Sequence, residues 1–300
     1  MKINMIRSDK VYQEMLELPL EKREGCFRAK ILAPFATKYQ TQHIPLKAKY
    51  PGGFDALFLL GFMNQLPSTL SEKDRPAIDS LSSDQLWQDC QDTIKRSIGL
   101  FEQSGYDLEV EDYHFTILLG NPEKPMLQLN KGYSGDGGIP GYLMLSLLPN
   151  DYTLPRVQAA LAHECNHNVR FQFVKWNQQT TLADWVVSEG LAESFAAELY
   201  GKDLIGPWVT STSPEQLEEI KPIISSQLQL TGMAEMAPYL YGDEIAKIQG
   251  QIPVGMPYAA GYAYGYHLIQ AYLKKTGKNI IEATVTPTEE ILEATKDFWK

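Results

Sequence analysis

The stretch LAHECNHNVR, residues 161–170, decides how this chain is interpreted, because it places two histidines four residues apart around a glutamate. The surrounding apolar residues predict a buried helix over about 154–174. On such a helix His163 and His167 project from one face and can bind one cation. Glu164 lies one step round the helix, where a base can take a proton from metal-bound water. The alternative is a helix with two hydrogen-bonded histidines and a solvated glutamate.

A catalytic zinc site needs a third protein ligand and an open fourth position. The metzincin pattern would require a glycine three residues after His167 and a histidine six residues after it. Arg170 and Phe173 occupy those positions, which excludes that class. Cys165 lies inside the motif, but its position directs it away from the face of the two histidines, and we interpret it as a small buried residue.

Since no histidine follows at that spacing, carboxylates on the next predicted helix, over 181–200, are the candidates for the third ligand. The stretch VVSEGLAESFAAEL, residues 186–199, carries Glu189, Glu193 and Glu198. Glu189 and Glu193 are one turn apart and share a face. An ordinary amphipathic helix would turn such residues to solvent. Glu189 lies among apolar neighbours, however, where an unpaired carboxylate is costly.

Composition limits the class of protein. The chain has 300 residues with 27 basic and 37 acidic side chains, for a net charge of −10. This balance argues against a general phosphate-seeking surface, so we expect no nucleic-acid partner. Three widely spaced cysteines suggest no disulfide framework. Without an apolar leader or a long uncharged apolar run, the sequence predicts no membrane span and a cytoplasmic location.

The order of predicted elements indicates an α+β fold, mostly helical with a small sheet. Residues 132–141 contain five glycines and predict a loop with positive φ, acting either as a lip over a cleft or as a plain turn. Residues 142–148 predict an edge strand that borders the active-site helix and could pair with an extended peptide. Further helices are expected at 8–18, 54–66, 82–104, from 213, at 257–275 and from 286, with another strand at 113–119.

Two resemblances add to this interpretation. HECNH followed by SEGLAE resembles the gluzincin peptidases, which implies a zincin-like fold and Zn²⁺ as cofactor. The resemblance implies that Glu189 is the third ligand and that Glu193 orients a ligand histidine. Ser188 stands where that family usually has asparagine. More specifically, GGIPGYLMLSLLPN, LAHECNHNVR, VSEGLAESFA and GYAYGYHLIQAYL, within residues 137–273, resemble the bacterial YjaZ-like family of predicted zinc-dependent proteases.

A zinc peptidase also needs a donor for the oxyanion that forms on the attacked carbonyl. PYAAG, residues 257–261, is similar to a P-Y-x-x-G motif of gluzincin aminopeptidases, which implies Tyr258 as the donor. Tyr262 and then His267 are the next candidates. Tyr258, Tyr262 and Tyr266 also form a stripe at helical spacing, and core packing explains such a stripe equally well.

The sequence therefore predicts a zinc-dependent hydrolase, and specifically a peptidase acting on a peptide or protein substrate. We expect one catalytic unit over 1–300, with an N-terminal lobe of helices and a small sheet at 1–150. A C-terminal helical lobe at 151–300 would carry the zinc ligands. The rival is a non-catalytic binding or regulatory protein with a relic or structural metal site. Hydrolysis of a non-peptide amide would use the same residues.

Overall fold

The computed structural model describes residues Met1–Trp299. They divide into two compact units, one formed by Met1–Arg96 and Glu109–Leu161, the other by Ser97–Leu108 and the chain from Ala162 onward. The strands are β1 (Lys2–Met5), β2 (Asp112–Leu119), β3 (Tyr133–Asp136) and β4 (Tyr142–Leu147).

Seventeen α-helices are numbered in chain order through the described residues. They are α1 (Ser8–Glu17), α2 (Leu20–Phe27), α3 (Ala36–Thr41), α4 (Ala56–Leu60), α5 (Arg75–Leu81), α6 (Asp84–Gln103), α7 (Pro125–Leu129), α8 (Val157–Phe173), α9 (Leu182–Tyr200), α10 (Pro207–Thr210), α11 (Pro214–Ser225), α12 (Met233–Tyr241), α13 (Asp243–Ile248), α14 (Ala260–Thr276), α15 (Ile280–Val285), α16 (Thr288–Ala294) and α17 (Lys296–Trp299). A π-helical turn at Arg28–Leu32 and 3-10 turns at Ala33–Phe35, Glu72–Asp74, Leu154–Arg156 and Lys202–Leu204 complete the helical structure.

The first unit contains a mixed sheet in the order β1-β2-β4-β3. β2 pairs in parallel with both β1 and β4, and β3 pairs antiparallel with β4. Apolar residues of β2 and β4, including Phe115, Ile117, Leu143 and Leu145, are buried and explain why these segments form strands. Helix α1 is tied to the sheet by its buried Tyr12, whose hydroxyl accepts a hydrogen bond from the Leu119 N–H at 3.1 Å.

Two predictions for this region are wrong. The strand at 142–148 is not an edge, because β4 has β2 on one side and β3 on the other. Strand β3, the second partner of β4, is formed by the glycine-rich stretch 132–141, which was expected to be a loop throughout. Only Gly132 and Gly141 of its glycines adopt positive φ, and Gly135 lies opposite Leu145 in the extended strand β3. Pairing with β4 therefore overrides the weak strand propensity of YSGD.

In the second unit, α9 and α14 cross at two glycines that let their backbones touch. A Cβ built on Gly190 would lie 2.1 Å from the carbonyl oxygen of Gly265, and one on Gly265 would lie 2.0 Å from that of Val186. No larger residue fits at either position without moving a helix. Phe101 and Phe195, with ring centroids 5.5 Å apart, extend the core of this unit.

Arg170 holds the end of α8 to its neighbours in the same unit. Its guanidinium is fully buried and donates to Ser188 Oγ at 3.0 Å, to the Thr284 and Thr286 carbonyls at 2.8 and 3.1 Å, and to Thr288 Oγ1 at 3.0 Å. Burial lowers the pKa of this guanidinium to about 10, and it stays charged at neutral pH. These bonds fix α8 against α9 and against residues 284–288.

The mostly helical α+β prediction is confirmed, and the helix predicted at 154–174 and the one at 181–200 are both present. Other boundaries differ. The helix expected at 54–66 is limited to Ala56–Leu60, and α14 begins at Ala260 rather than at residue 257. The helix expected from 286 starts at Thr288, with Pro287 at its N-cap and no side-chain cap. Within Met1–Trp299, no helix is both long and apolar enough to cross a bilayer.

Candidate metal centre

Helix α8 carries His163, Glu164 and His167 in the second unit, and all three side chains are buried. The helical repeat brings the two histidine rings edge to face with centroids 4.8 Å apart. Glu189 and Glu193 lie on α9, which begins at a capping box formed by Thr181 and Asp184. Both glutamates are buried, so they do not belong to a solvated helix face.

Three atoms converge in this cluster. The Nε2 atoms of His163 and His167 are 3.1 Å apart, and Glu189 Oε2 is 3.2 Å from each of them. Zinc bonds of about 2.0–2.1 Å at tetrahedral angles place neighbouring ligand atoms roughly 3.3 Å apart. The triangle therefore has the size of a zinc coordination face, and the two-nitrogen, one-oxygen donor set suits the same ion.

Glu193 contacts the opposite nitrogen of His163. Its Oε2 lies 2.8 Å from Nδ1 of the ring. The carboxylate also accepts hydrogen bonds from the Gly206 N–H at 2.6 Å and from Trp208 Nε1 at 2.7 Å. Three contacts on one buried carboxylate fix its orientation and direct the Nδ1 proton of His163 towards it.

The contact between Glu193 and Nδ1 determines whether Nε2 of His163 carries a lone pair or a proton. With its proton on Nδ1, neutral His163 presents the Nε2 lone pair to the Glu189 carboxylate, which is unfavourable unless a cation lies between them. In the metal-free protein a proton on Nε2 can supply that positive charge. Burial opposes the charge, but hydrogen bonds to Glu189 and Glu193 hold the pKa of His163 well above 6.5. The pKa of Glu189 is lowered to about 2, because the two histidines outweigh the opposing effect of its burial.

The second oxygen of Glu189 is also held. Trp185 Nε1 donates to Oε1 at 3.3 Å from one turn earlier on α9. Oε2 is thereby left to face the histidines. The carboxylate is oriented by its own helix before any ligand binds, which lowers the entropy lost on coordination.

A chain of aromatic contacts starts at His167 and returns to His163. Each ring is 5.5 to 6.2 Å from the next, measured between centroids, and Phe171 stacks parallel to His167. Part of this chain is solvent-accessible, with Trp176 39% exposed. These aromatic rings together form an apolar wall beside His163 and His167. In order from His167 its members are Phe171, Trp176, Trp185, Tyr241, Tyr262 and Trp208.

A cavity of about 310 Å³ adjoins part of this wall. Phe171 and Trp176 line it, together with Asp184 and Ser188 of α9. Its volume lies at the lower end of the range for small-molecule pockets. It is large enough to receive one amino-acid side chain beside the ring that stacks on His167.

The predicted oxyanion donors lie in different surroundings. Tyr258 is in the turn before α14, so it is not on the helical stripe that its spacing suggested; Ala259, with φ 54°, separates it from the helix. Tyr262 is on α14, and burial, followed by the charges of Glu189 and Glu164 among others, raises its pKa well above 10. Its ring lies between those of Tyr241 and Trp208, with centroids 6.1 and 6.2 Å away. His267 contacts Tyr266, with centroids 5.4 Å apart, and burial and the charge of Lys221 lower its pKa.

Sequence reasoning missed the residues that hold the glutamates. Trp208 and Gly206 belong to the IGPW turn, and nothing in that turn matches a metal motif. The signal in the sequence was Gly206-Pro207, a typical helix start, followed directly by Trp208 and located soon after α9. A Cβ on Gly206 would lie 2.1 Å from the Trp208 ring, so the turn requires glycine there.

Comparison with known proteins identifies the class. Residues 86–293 match the family described as "Predicted Zn-dependent protease (DUF2268)", and the chain belongs to that family. It is 34% identical to the uncharacterized protein YjfC of Bacillus subtilis over 97% of both chains. It is 26% identical to the uncharacterized protein YjaZ of the same organism, over 50% of this chain and 55% of that one. The resemblance to the YjaZ-like family is confirmed. No solved structure matches the chain significantly.

Proposed function

We propose that the chain is a zinc-dependent peptidase of zincin-like (gluzincin) fold, with His163, His167 and Glu189 as metal ligands and Glu164 as the base. The observation that carries the proposal is the triangle of ligand atoms with edges of 3.1 to 3.2 Å. The carboxylate of Glu193 on the far nitrogen of His163 supports it further. The name of the family agrees with this assignment.

The number of ligands favours catalysis over a structural role. Across Met1–Trp299, the group of histidine, cysteine and acidic side chains able to hold a metal has three members. Structural zinc sites are closed by four protein ligands, whereas catalytic sites use three and leave a position open. Cys165 is buried on the same helix but is not part of this group. A relic or structural site in a regulatory protein is therefore the weaker interpretation.

Glu164 is the proton carrier in this proposal. Zinc, when bound, supplies Lewis-acid chemistry and a water that ionises near neutral pH. Glu164 is buried directly after His163 on α8, and its charge contributes to the raised pKa values of both His163 and Tyr262. From there it accepts a proton from the attacking water and delivers it to the leaving amine of the peptide.

Tyr262 and Tyr258 are the proposed oxyanion donors. A pKa well above 10 keeps the Tyr262 phenol protonated at neutral pH, so its O–H can donate to the developing oxyanion. Tyr258 lies in the turn that leads into α14, four residues before Tyr262, which supports its assignment as the second donor. The cavity at Phe171 and Trp176 would receive a side chain of the peptide. We further propose that residues 1–300 act as one catalytic unit.

The test compares two glutamates that differ in burial. Glu164→Gln should retain stoichiometric zinc by metal analysis and lose hydrolysis of a mixed peptide library, by about 100-fold or more. Glu198→Gln is the matched control, since Glu198 is exposed on α9 and should leave activity unchanged. Zinc binding without hydrolysis in the native protein would favour the regulatory alternative. Normal turnover by Glu164→Gln would refute the proposed mechanism.

A further inference from the structure

Four aromatic side chains of the first unit form an exposed patch that the peptidase proposal does not use. The aromatic patch consists of Tyr50, Phe54, Phe58 and Phe62, which are 77%, 53%, 49% and 43% exposed. The three phenylalanines contact one another in sequence, with centroids 6.0 and 5.5 Å apart. They lie on and beside α4, whose three leucines are also only partly buried. Contiguous exposed apolar surface of this kind marks an interaction site.

The loop before α4 places positive charge beside the patch. Lys47 and Lys49 are exposed, and the Ala48 N–H between them donates to Asp55 Oδ2 at 3.0 Å. Asp55 is the N-cap of α4, accepting from the Phe58 N–H at 2.9 Å. The same carboxylate thus ties the backbone between the two lysines to the start of α4, and Lys49 directly precedes Tyr50 of the patch.

The stretch of sequence that carries the aromatic patch contains no exposed acidic residue. Asp55 is the single acidic residue between positions 42 and 71, whereas the whole chain has a net charge of −10. Asp55 is 4% exposed and is ion-paired with Arg28 at 2.8 Å. The exposed charges of this segment are therefore positive. The exposed Glu24 is ion-paired with the same Arg28 at 2.7 Å. The aromatic segment therefore differs in charge from the acidic chain as a whole, and this difference suits an anionic, apolar partner.

We propose that the aromatic patch binds the surface of a bilayer that contains anionic lipid. Phenylalanine and tyrosine rings insert at the boundary between headgroups and acyl chains, and Lys47 and Lys49 contact the anionic headgroups. The observations favour a bilayer over a folded partner because the rings are adjacent on a short, outward helix and are flanked by lysines, as in interfacial segments. The binding is peripheral, and no residue of the proposed metal centre takes part in it.

The test is sedimentation of the full chain with vesicles. The protein should bind vesicles made of equal parts phosphatidylcholine and phosphatidylglycerol, and roughly 30-fold more weakly vesicles of phosphatidylcholine alone, given the contribution of two lysines. Lys47→Gln with Lys49→Gln should remove that preference. Phe58→Ser with Phe62→Ser should abolish binding to both vesicles.

Matched controls separate the patch from general surface effects. Lys10→Gln with Lys22→Gln removes two exposed lysines elsewhere, and Ile252→Ser removes an apolar side chain that is 83% exposed. Both controls should bind mixed vesicles like the native chain, and circular dichroism should show that every variant is folded. Failure of the native chain to bind mixed vesicles would overturn the proposal. So would native-like binding by the phenylalanine variant, or a native dimer that this variant dissociates, which would make the patch a subunit interface.

Discussion

The crossing of α9 and α14 gives a sharp prediction that links the fold to the metal centre. An alanine at position 265 would place its Cβ 2.0 Å from the Val186 carbonyl oxygen, and one at position 190 would lie 2.1 Å from the Gly265 oxygen. Real Cβ atoms essentially never approach other atoms closer than 3.0 Å. Because both obstacles are backbone atoms, no rotamer change relieves them. The helices must separate by about 1 Å.

The magnitude follows from this displacement. Overpacking a core typically costs about 1–3 kcal/mol, and a backbone obstacle on both sides places this crossing at the upper end. For a chain of this size each kcal/mol lowers Tm by about 2–4 °C, so Gly265→Ala should lower it by roughly 6–12 °C. Gly190 is adjacent to Glu189, whose Oε2 lies 3.2 Å from each histidine nitrogen. A shift of about 1 Å distorts that triangle, so zinc affinity should also fall, by about 10-fold or more.

The measurements are thermal unfolding and zinc competition against a chromophoric chelator. Gly99→Ala is the matched control, since Gly99 is also inside a helix but a Cβ there meets only a flexible Gln103 side chain at 3.7 Å. Gly99→Ala should raise stability by up to about 1 kcal/mol, because alanine favours helix over glycine. If Gly265→Ala and Gly99→Ala have the same Tm and zinc affinity, the close crossing is not required for the site.

Three further predictions concern the centre itself. Trp208→Phe keeps an aromatic side chain but removes one hydrogen-bond donor to Glu193, so zinc affinity measured by chelator competition should fall about 10-fold. Unchanged affinity would contradict the role of the turn. Glu189→Gln should bind almost no zinc, and Glu193→Gln should bind it about 10- to 100-fold more weakly; the reverse order would exchange their roles. In chelator-treated protein, His163 has a pKa raised above 6.5, so its stabilising contribution is complete below pH 6.5 and lost as pH rises through the folded pKa. Tm should therefore fall with rising pH without zinc and vary less with zinc bound; a flat metal-free profile would refute this.

The two helices of the centre could be predicted from sequence because their signals are local. Helical periodicity and the capping box at Thr181 define α9, and the spacing of His163 and His167 requires them to share a face. Local spacing also placed Glu189 and Glu193 one turn apart. It left open which of the two approaches which ring nitrogen, since that depends on how α8 and α9 pack.

The failures have a common physical cause, which is contact between separate segments of the chain. YSGD has little strand propensity, and β3 forms because β4 lies beside it. Tyr258 falls outside α14 because Ala259 adopts a left-handed conformation and its N–H donates to the Tyr241 carbonyl at 2.8 Å. Trp208 reaches Glu193 across fifteen residues of sequence. None of these contacts leaves a periodic signal in the chain.

Arg170 shows why the departure from the gluzincin pattern at Ser188 is compatible with the same centre. Arg170 follows His167 by three residues, and Ser188 immediately precedes Glu189. Ser188 Oγ accepts from Arg170 Nε at 3.0 Å and donates to the Asp184 carbonyl at 2.7 Å. This bond joins the two helices within one turn of the proposed ligands. It sets the axial position of α9 relative to α8, and that position decides whether Glu189 meets both histidines.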